Sequence, residues 1–337
     1  MCPGTLDRPC MDEYLRTIER AHGVFLTREV RELGYDDRAI RRALRSGHWH
    51  RVRHGAYCFA DSWVAASAER RHLVLAKAVV RVTPGPVALS HVTSLVAHEL
   101  PVWGVDLTSV HVTRLDGGGG WRRSDAVHHE GSLARDDVVQ MGGYAMTPPA
   151  RALVEAGTSM SIEALLVSGD AALGRHLVTP EDLDREHAGV RRWPGAQPLQ
   201  LAVRLMDGRA ASPGESRSRF LFWSFGLPPP ELQHEVRDES GALVATTDFA
   251  WPDLGAIGEF DGRIKYGRLL RPGQEPGDAV FAEKVREDRI REVTGWTVIR
   301  LVWADLSTPR QTAERVARQL GLVTGDLPLR RVPVRRP

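Results

Sequence analysis

The chain has 337 residues, of which 42% are hydrophobic and 26% charged, and its formal net charge is +2. This composition is typical of a globular protein of two or three domains, and it excludes binding to nucleic acid through overall positive charge. The three cysteines lack the paired spacing of a zinc site, which indicates a reducing compartment. Because the sequence also shows no long apolar run and no secretory signal, we expect a cytoplasmic protein.

The first 62 residues are predicted to form a small DNA-binding domain. Their apolar spacing and the glycines that follow each helix predict three helices and a two-stranded wing, at 12–22, 28–33, 36–46, 50–53 and 56–59. This order is the pattern of a winged helix-turn-helix, in which the third helix enters the major groove of DNA and the wing approaches the phosphates.

Arginines dominate the third helix and the wing of this predicted domain. Six are predicted to contact double-stranded DNA: Arg38, Arg41, Arg42, Arg45, Arg51 and Arg53. The first four recur at i, i+3, i+4 and i+7 and therefore share one face of the helix. The guanidinium group suits both phosphates and guanine edges, which favours nucleic acid as the partner. The alternative is a solvated arginine face on a small helical domain that binds a protein.

Residues 23–57 resemble a known family in the run G-V-F-L-T-R-E-V-R-E-L-G-Y-D-D-R-A-I-R-R-A-L-R-S-G-H-W-H-R-V-R-H-G-A-Y. The run looks like the N-terminal domain of AbiEi-family antitoxins, which belong to type IV toxin–antitoxin systems. In that family the domain is a winged helix associated with operator binding and autorepression. The resemblance therefore implies DNA as a partner, and a cognate toxin protein as a second candidate partner.

The middle region, 63–208, is predicted to be a mixed α/β domain. Helices are expected at 66–82 and 90–99 and from positions 149, 161 and 180, with strands at 110–113, 126–129, 138–141 and 144–146. The run of four glycines at 117–120 is not a phosphate loop, since no Lys-Ser/Thr follows it. His128, His129 and Glu130 are adjacent, and because neighbouring strand residues point to opposite faces, we predict no metal site there.

Three carboxylates lie on two predicted strands that a turn at 252–255 joins. Glu259 and Asp261 alternate on one strand and so share a face, and Asp248 on the preceding strand can join them. Carboxylates that converge on one sheet face repel each other unless they are solvated or hold a cation. We therefore predict a site for Mg2+ or Mn2+ at Asp248, Glu259 and Asp261, a cation that can activate water for phosphodiester attack. The alternative is that these carboxylates form the polar face of a hairpin and have no function in binding or catalysis.

The elements around these acids are predicted in the order αβββαβα, over 209–323. With the motifs D-F-A-W-P-D, E-F-D-G-R-I-K-Y, E-K-V-R-E-D-R-I-R and G-W-T-V-I-R-L, this order resembles the PD-(D/E)XK nuclease superfamily, and within it the very-short-patch-repair endonucleases. The resemblance implies a restriction-endonuclease-like fold, with Asp248 and Glu259 as metal ligands and Glu215 as the acid from the first helix. A helix-capping role explains Glu215 equally well.

The sequence departs from that superfamily at one catalytic position. The lysine expected two residues after Glu259 is Asp261 here, so Lys265 or Lys284 would have to supply the positive charge. In the resembling family Lys284, Arg286 and Arg289 fall near the acids. These bases are predicted either to stabilise the scissile phosphate or to neutralise the carboxylates structurally.

Together these features predict an α+β multidomain protein with domains at 1–62, 63–208 and 209–323 and a basic, disordered tail at 324–337. The first functional hypothesis is a DNA-binding protein with a Mg2+-dependent endonuclease domain. The alternative is an AbiEi-like antitoxin or transcriptional repressor whose nuclease-like domain is inactive. A third class is an adaptor that holds DNA and a partner protein. Convergence of Asp248, Glu259 and a lysine would favour the nuclease, whereas acids capped by arginines would favour the repressor.

Overall fold

The computed structural model describes residues 8–131, 133, 137–262 and 276–322. Within these ranges the protein is a mixed α+β chain with three sheets. It divides into two compact units, Met1–Ala156 and Gly157–Pro337. The domain boundaries predicted at 62/63 and 208/209 lie inside these units and stay predictions. None of the helices in the described ranges is both long and apolar enough to span a bilayer.

The helices and strands follow one another as the sequence predicted, with short additions. The helices are α1 Arg8–His22, α2 Thr27–Glu32, α3 Asp37–Arg45, α4 Ala60–Ala65, α5 Ala68–Val82, α6 His91–Ala97, α7 Pro149–Gly157, α8 Ile162–Gly174, α9 Pro180–Val190, α10 Leu199–Leu205, α11 Pro213–Ser224, α12 Pro276–Thr294 and α13 Pro309–Gln319. The strands are β1 Phe25–Leu26, β2 Trp49–Arg53, β3 Ala56–Phe59, β4 Val87–Leu89, β5 Val110–Arg114, β6 Trp121–Arg122, β7 Ala126–His129, β8 Val139–Met141, β9 Tyr144–Met146, β10 Glu231–Arg237, β11 Leu243–Trp251, β12 Ala256–Asp261 and β13 Thr297–Val302.

The N-terminal part of the first unit is consistent with a winged helix. Its three helices pack on a small antiparallel sheet of order β1-β3-β2. Phe25, Trp49 and Phe59 form the aromatic centre of the core, and Ile40 on α3 is buried against it. The Asp36 side chain begins α3 by accepting a 2.7 Å hydrogen bond from Ala39 N. The helix is thus fixed at its first turn and along one apolar face.

The rest of the first unit is built on a six-stranded sheet of order β6-β7-β5-β4-β9-β8. The pairs β5–β7 and β4–β9 are parallel and the other pairs antiparallel. Val110, Val112 and Ala126 face the core on one side of this sheet, where Leu75 and Val79 of α5 cover them. The alternate residues of β5 and β7 therefore face the other side, where α6 packs against β5.

The second unit contains a four-stranded sheet, β10-β11-β12-β13, whose last pair is parallel and whose other pairs are antiparallel. The order α11, β10, β11, β12, α12, β13, α13 is the predicted αβββαβα. One core joins Phe222 of α11 and Val316 of α13 to one sheet face, and a second joins Ile290 of α12 to the residues Ala250 and Ile257. The sheet is therefore covered by helices on both faces.

Candidate functional site

Helix α3 presents an exposed arginine face, as its spacing predicted. The side chains of Arg38, Arg41, Arg42 and Arg45 are all exposed, whereas Ile40 and Ala43 of the same helix are buried. Asp37, the acid in the first turn of α3, pairs with Arg31 at 2.9 Å. The helix thus turns its apolar residues to the core and its arginines to solvent, which is the arrangement a groove-binding helix needs.

The two wing arginines that are predicted to contact DNA differ in their exposure to solvent. Arg51 is exposed, whereas Arg53 has a side chain only 10% exposed, and its Nε lies 3.3 Å from Asp125 Oδ2. The register of β2 against β3 shifts between these two residues, so the simple alternation that would put both on one face is lost. Burial lowers the pKa of Arg53, and Asp125 opposes that change. Arg53 therefore has a structural contact that the sequence did not indicate.

Because Arg53 is the more buried partner of this pair, replacing Asp125 and replacing Arg53 should change the stability of the protein by different amounts. Replacing Asp125 by Ala should lower the free energy of unfolding by about 2 kcal/mol, because it leaves the guanidinium of Arg53 buried without its carboxylate. Arg53→Met should cost less than about 1 kcal/mol, since it also removes the desolvation penalty. Thermal denaturation of the full chain measures both variants. If Arg53→Met unfolds more easily than Asp125→Ala, Asp125 does not serve to offset the burial of the Arg53 guanidinium.

Glu215 is held by its own helix terminus. Its side chain is 5% exposed and accepts 2.8 Å hydrogen bonds from Ala211 N and Ser212 Oγ, and one of 3.1 Å from Gln233 Nε2. Ser212 Oγ in turn accepts from Glu215 N, so the two residues cap α11. Burial raises the pKa of Glu215, and the neighbouring Asp248 carboxylate raises it further. Glu215 and Asp248 are thus close enough to repel each other.

The other acids lie where β11 and β12 separate. The two strands pair up to Phe249 and Gly258, and Asp248 and Glu259 are the next residues along. Asp248 Oδ2 accepts a 2.8 Å hydrogen bond from Phe260 N. Glu259 Oε2 lies 2.5 Å from a guanidinium nitrogen of Arg286, which α12 supplies. Asp261 ends β12 and is half-buried.

In the described part of the chain, an arginine lies beside one of these acids. Arg286 pairs with Glu259, while Arg289 of the same helix pairs with Glu292 at 2.7 Å. Lys265 lies outside the described residues, and Lys284 lies in α12 at a position whose side chain is also outside them. Mg2+ prefers carboxylate oxygens, so the acids offer the right donor type. A cation at Glu259 would have to compete with Arg286.

A cluster of histidines on the six-stranded sheet was not predicted. His91, His111 and His129 each place a ring nitrogen within 4.8 Å of those of the other two. His111 Nδ1 lies 2.9 Å from His129 Nε2, and the His91 ring stacks on the His129 ring with centroids 3.7 Å apart. Burial lowers the pKa of His111 and of His129 to about 4, and that of His91 well below its ordinary value. All three rings are therefore neutral near pH 7.

The part of the chain that carries the arginine face is similar to a known protein family. Residues 12–60 match the model of a family described as "Transcriptional regulator, AbiEi antitoxin". The likeness to AbiEi-type regulators therefore covers the N-terminal domain. The match includes α3 and the wing, and a domain of this type implies DNA binding.

Two relatives extend beyond this domain without naming an activity. Over 182 residues the chain is 29% identical to uncharacterized protein Rv2248 of Mycobacterium tuberculosis strain H37Rv and to uncharacterized protein MT2308 of strain CDC 1551. The alignment covers 54% of this chain and 64% of each relative. The chain thus spans a little under two thirds of the length of the relatives it matches.

Proposed function

We propose that the protein is a transcriptional regulator of the AbiEi antitoxin type, which binds duplex DNA through α3 and the wing. One observation carries the proposal: the residues that match the regulator family hold an exposed helix face of four arginines. An α-helix with its side chains is about 10–12 Å across, which suits a major groove roughly 12 Å wide. A local basic face is needed because the net charge of the whole chain is only +2.

The salt dependence of DNA binding tests this proposal. Each phosphate that an arginine neutralises releases counterions and contributes roughly −0.9 to the slope of log affinity against log salt concentration. Fluorescence anisotropy of a labelled duplex with the full chain should therefore give a slope of about −3 to −5 if the four arginines and Arg51 contact phosphates. A chain that binds no duplex at low salt would contradict the proposal.

A second candidate function is a Mg2+-dependent nuclease, which the neighbourhood of Glu215, Asp248 and Glu259 favours together with the predicted αβββαβα order. This second candidate function includes the interpretation of the αβββαβα order as a restriction-endonuclease-like fold. Against catalysis stand the 2.5 Å pair between Arg286 and Glu259 and the capping contacts of Glu215. Glu259 already pairs with an arginine, and Glu215 already caps a helix. Such acids are more typical of a binding module than of a metal site, so we favour the regulator.

Cleavage assays separate the two functions. We expect the full chain to leave supercoiled and single-stranded DNA intact with Mg2+ or Mn2+, and we expect millimolar Mg2+ to leave its melting temperature unchanged. The variant Arg286→Met removes this arginine contact of Glu259 and is the form in which a cation meets less competition there. Metal-dependent cleavage by the wild type that Asp248→Asn abolishes would instead establish the nuclease.

The family match also supports a proposal about a toxin partner and about the cellular compartment of the protein. AbiEi antitoxins act with a cognate toxin, so we propose such a toxin as a second partner and the cytoplasm as the place where the protein meets its DNA. Co-expression with a toxin candidate tests the first point. Growth inhibition that this chain relieves would support the partnership, and relief that persists in a DNA-binding-deficient variant would show that it does not depend on operator binding.

A further inference from the structure

We propose that His91, His111 and His129 bind one divalent transition-metal ion such as Zn2+. The three residues come from three elements of the first unit: His91 begins α6, His111 lies on β5, and His129 ends β7. The parallel pairing of β5 with β7 puts His111 and His129 on the sheet face that is opposite the Val110 and Val112 core. Three imidazoles that are far apart in sequence thus bring their nitrogens within 4.8 Å of one another.

The donor set selects the kind of ion. Imidazole nitrogen suits Zn2+, Cu2+, Ni2+ and Fe2+, whereas Mg2+ and Ca2+ prefer oxygen. Three histidines with one open position are a known arrangement for zinc. His111 and His129 are half-buried rather than enclosed, so an ion can reach the cluster from solvent. This site is separate from the carboxylates of the second unit in both residues and chemistry.

Ser90 and Glu155 lie beside one nitrogen of the most buried ring. His91 Nδ1 lies 3.0 Å from Ser90 Oγ and 3.6 Å from Glu155 Oε2, which leaves its Nε2 for an ion. Glu155 is 1% exposed, accepts from His91 N at 3.3 Å, and is held by a 2.8 Å bond from Arg151 Nε. Metal-binding histidines commonly direct their second nitrogen to such a carboxylate, which fixes the ring and its tautomer. Here the Ser90 hydroxyl is the group within hydrogen-bonding distance of the ring nitrogen, and Glu155 accepts from the backbone N–H of His91.

An ion requires two rearrangements of the cluster. The His91 and His129 rings, which are stacked with an angle of 15° between their planes, must turn so that both point a nitrogen at the ion. Nitrogens about 2.0–2.1 Å from zinc are roughly 3.3 Å apart in a tetrahedron. The 2.9 Å between His111 Nδ1 and His129 Nε2 must therefore open by a few tenths of an ångström. The proton that joins these two atoms moves to the other nitrogen of its ring, so each histidine stays neutral and offers a lone pair. The ion would then link α6, β5 and β7.

Metal titration of the untagged full chain, after treatment with a chelator and its removal, tests the site. We expect calorimetry to give one Zn2+ per chain and Co2+ to give the visible absorption of a nitrogen-ligated centre. His111→Gln and His129→Gln should each weaken Zn2+ binding at least tenfold. The control His54→Gln removes an exposed histidine from the wing turn and should bind as the wild type does.

Two results would overturn the proposal. One is the absence of Zn2+, Co2+ and Ni2+ binding by the wild type at up to millimolar concentration, which would leave three neutral histidines packed by hydrogen bonding and stacking alone. The other is wild-type affinity in both His111→Gln and His129→Gln, which would place the ion elsewhere. The Co2+ spectrum of the wild type does not depend on how well any variant folds.

Discussion

Replacing Arg41 and Arg45 together by Ala should weaken duplex binding by about tenfold to a thousandfold. Arginine contacts to DNA contribute about 1–3 kcal/mol where they read a base. Where they contact phosphates, removing two should reduce the magnitude of the salt slope by about 1.8, since each contributes roughly 0.9. Both side chains are exposed on the same helix face, so the variant should fold normally. Anisotropy titration at several salt concentrations measures both quantities.

A matched control removes the same charge elsewhere. Arg191 and Arg192 are exposed and lie just after α9 in the second unit. Their double replacement by Ala changes the net charge by the same amount and should leave affinity and salt slope unchanged. Equal losses in the two double variants would mean that binding follows overall charge, and unchanged affinity in Arg41→Ala/Arg45→Ala would remove α3 from the interface.

Asp170→Ala should destabilise the second unit by about 3–5 kcal/mol. Asp170 is fully buried, pairs with Arg219 of α11 at 2.7 Å, and accepts a 2.8 Å hydrogen bond from Asp207 N. Removing the carboxylate takes the counter-ion from a largely buried guanidinium, which keeps its hydrogen bond to Leu205 O, and leaves the N–H of Asp207 without this acceptor. The variant tests whether this pair holds α11, which carries Glu215, against α8.

Hydrogen exchange of the full chain gives the local readout that this prediction needs. Peptides from α8 and α11 should lose protection roughly 100-fold or more, while those from α3 should not change. The control Arg185→Ala breaks an exposed pair with Asp182 and should cost less than about 1 kcal/mol. Wild-type protection of α8 and α11 in Asp170→Ala would show that packing, not this ion pair, joins the two helices.

Local signals explain why the elements could be predicted from the sequence. Each of the first three helices is followed within two residues by a glycine with positive φ, namely Gly23, Gly34 and Gly47 at 75°, 88° and 69°. The arginine spacing of α3 and the capping pair of α11 are also local patterns. The three-residue strand β4 and the exposed two-residue strand β6 were not predicted, because neither is long enough to show a period.

Contacts between distant residues explain what the sequence could not show. The alternation rule correctly separated His129 from His128, whose ring stacks on Trp121 rather than joining the cluster. It could not supply His111, which the β5–β7 pairing brings near His129, or His91, which comes from α6. The Arg286–Glu259 pair similarly depends on how α12 packs on the sheet, and a register shift in the wing turns Arg53 towards Asp125.

Selection of duplexes from a random pool by the full chain, followed by methylation protection of the enriched site, tests the regulator function most directly. Guanine N7 is a major-groove acceptor, so protection there reports a helix in that groove. We expect one enriched motif whose guanines are protected by the wild type and not by Arg41→Ala/Arg45→Ala. If no motif is enriched, or if the guanines of an enriched motif remain fully reactive, α3 does not read DNA in the major groove and the proposed function is wrong.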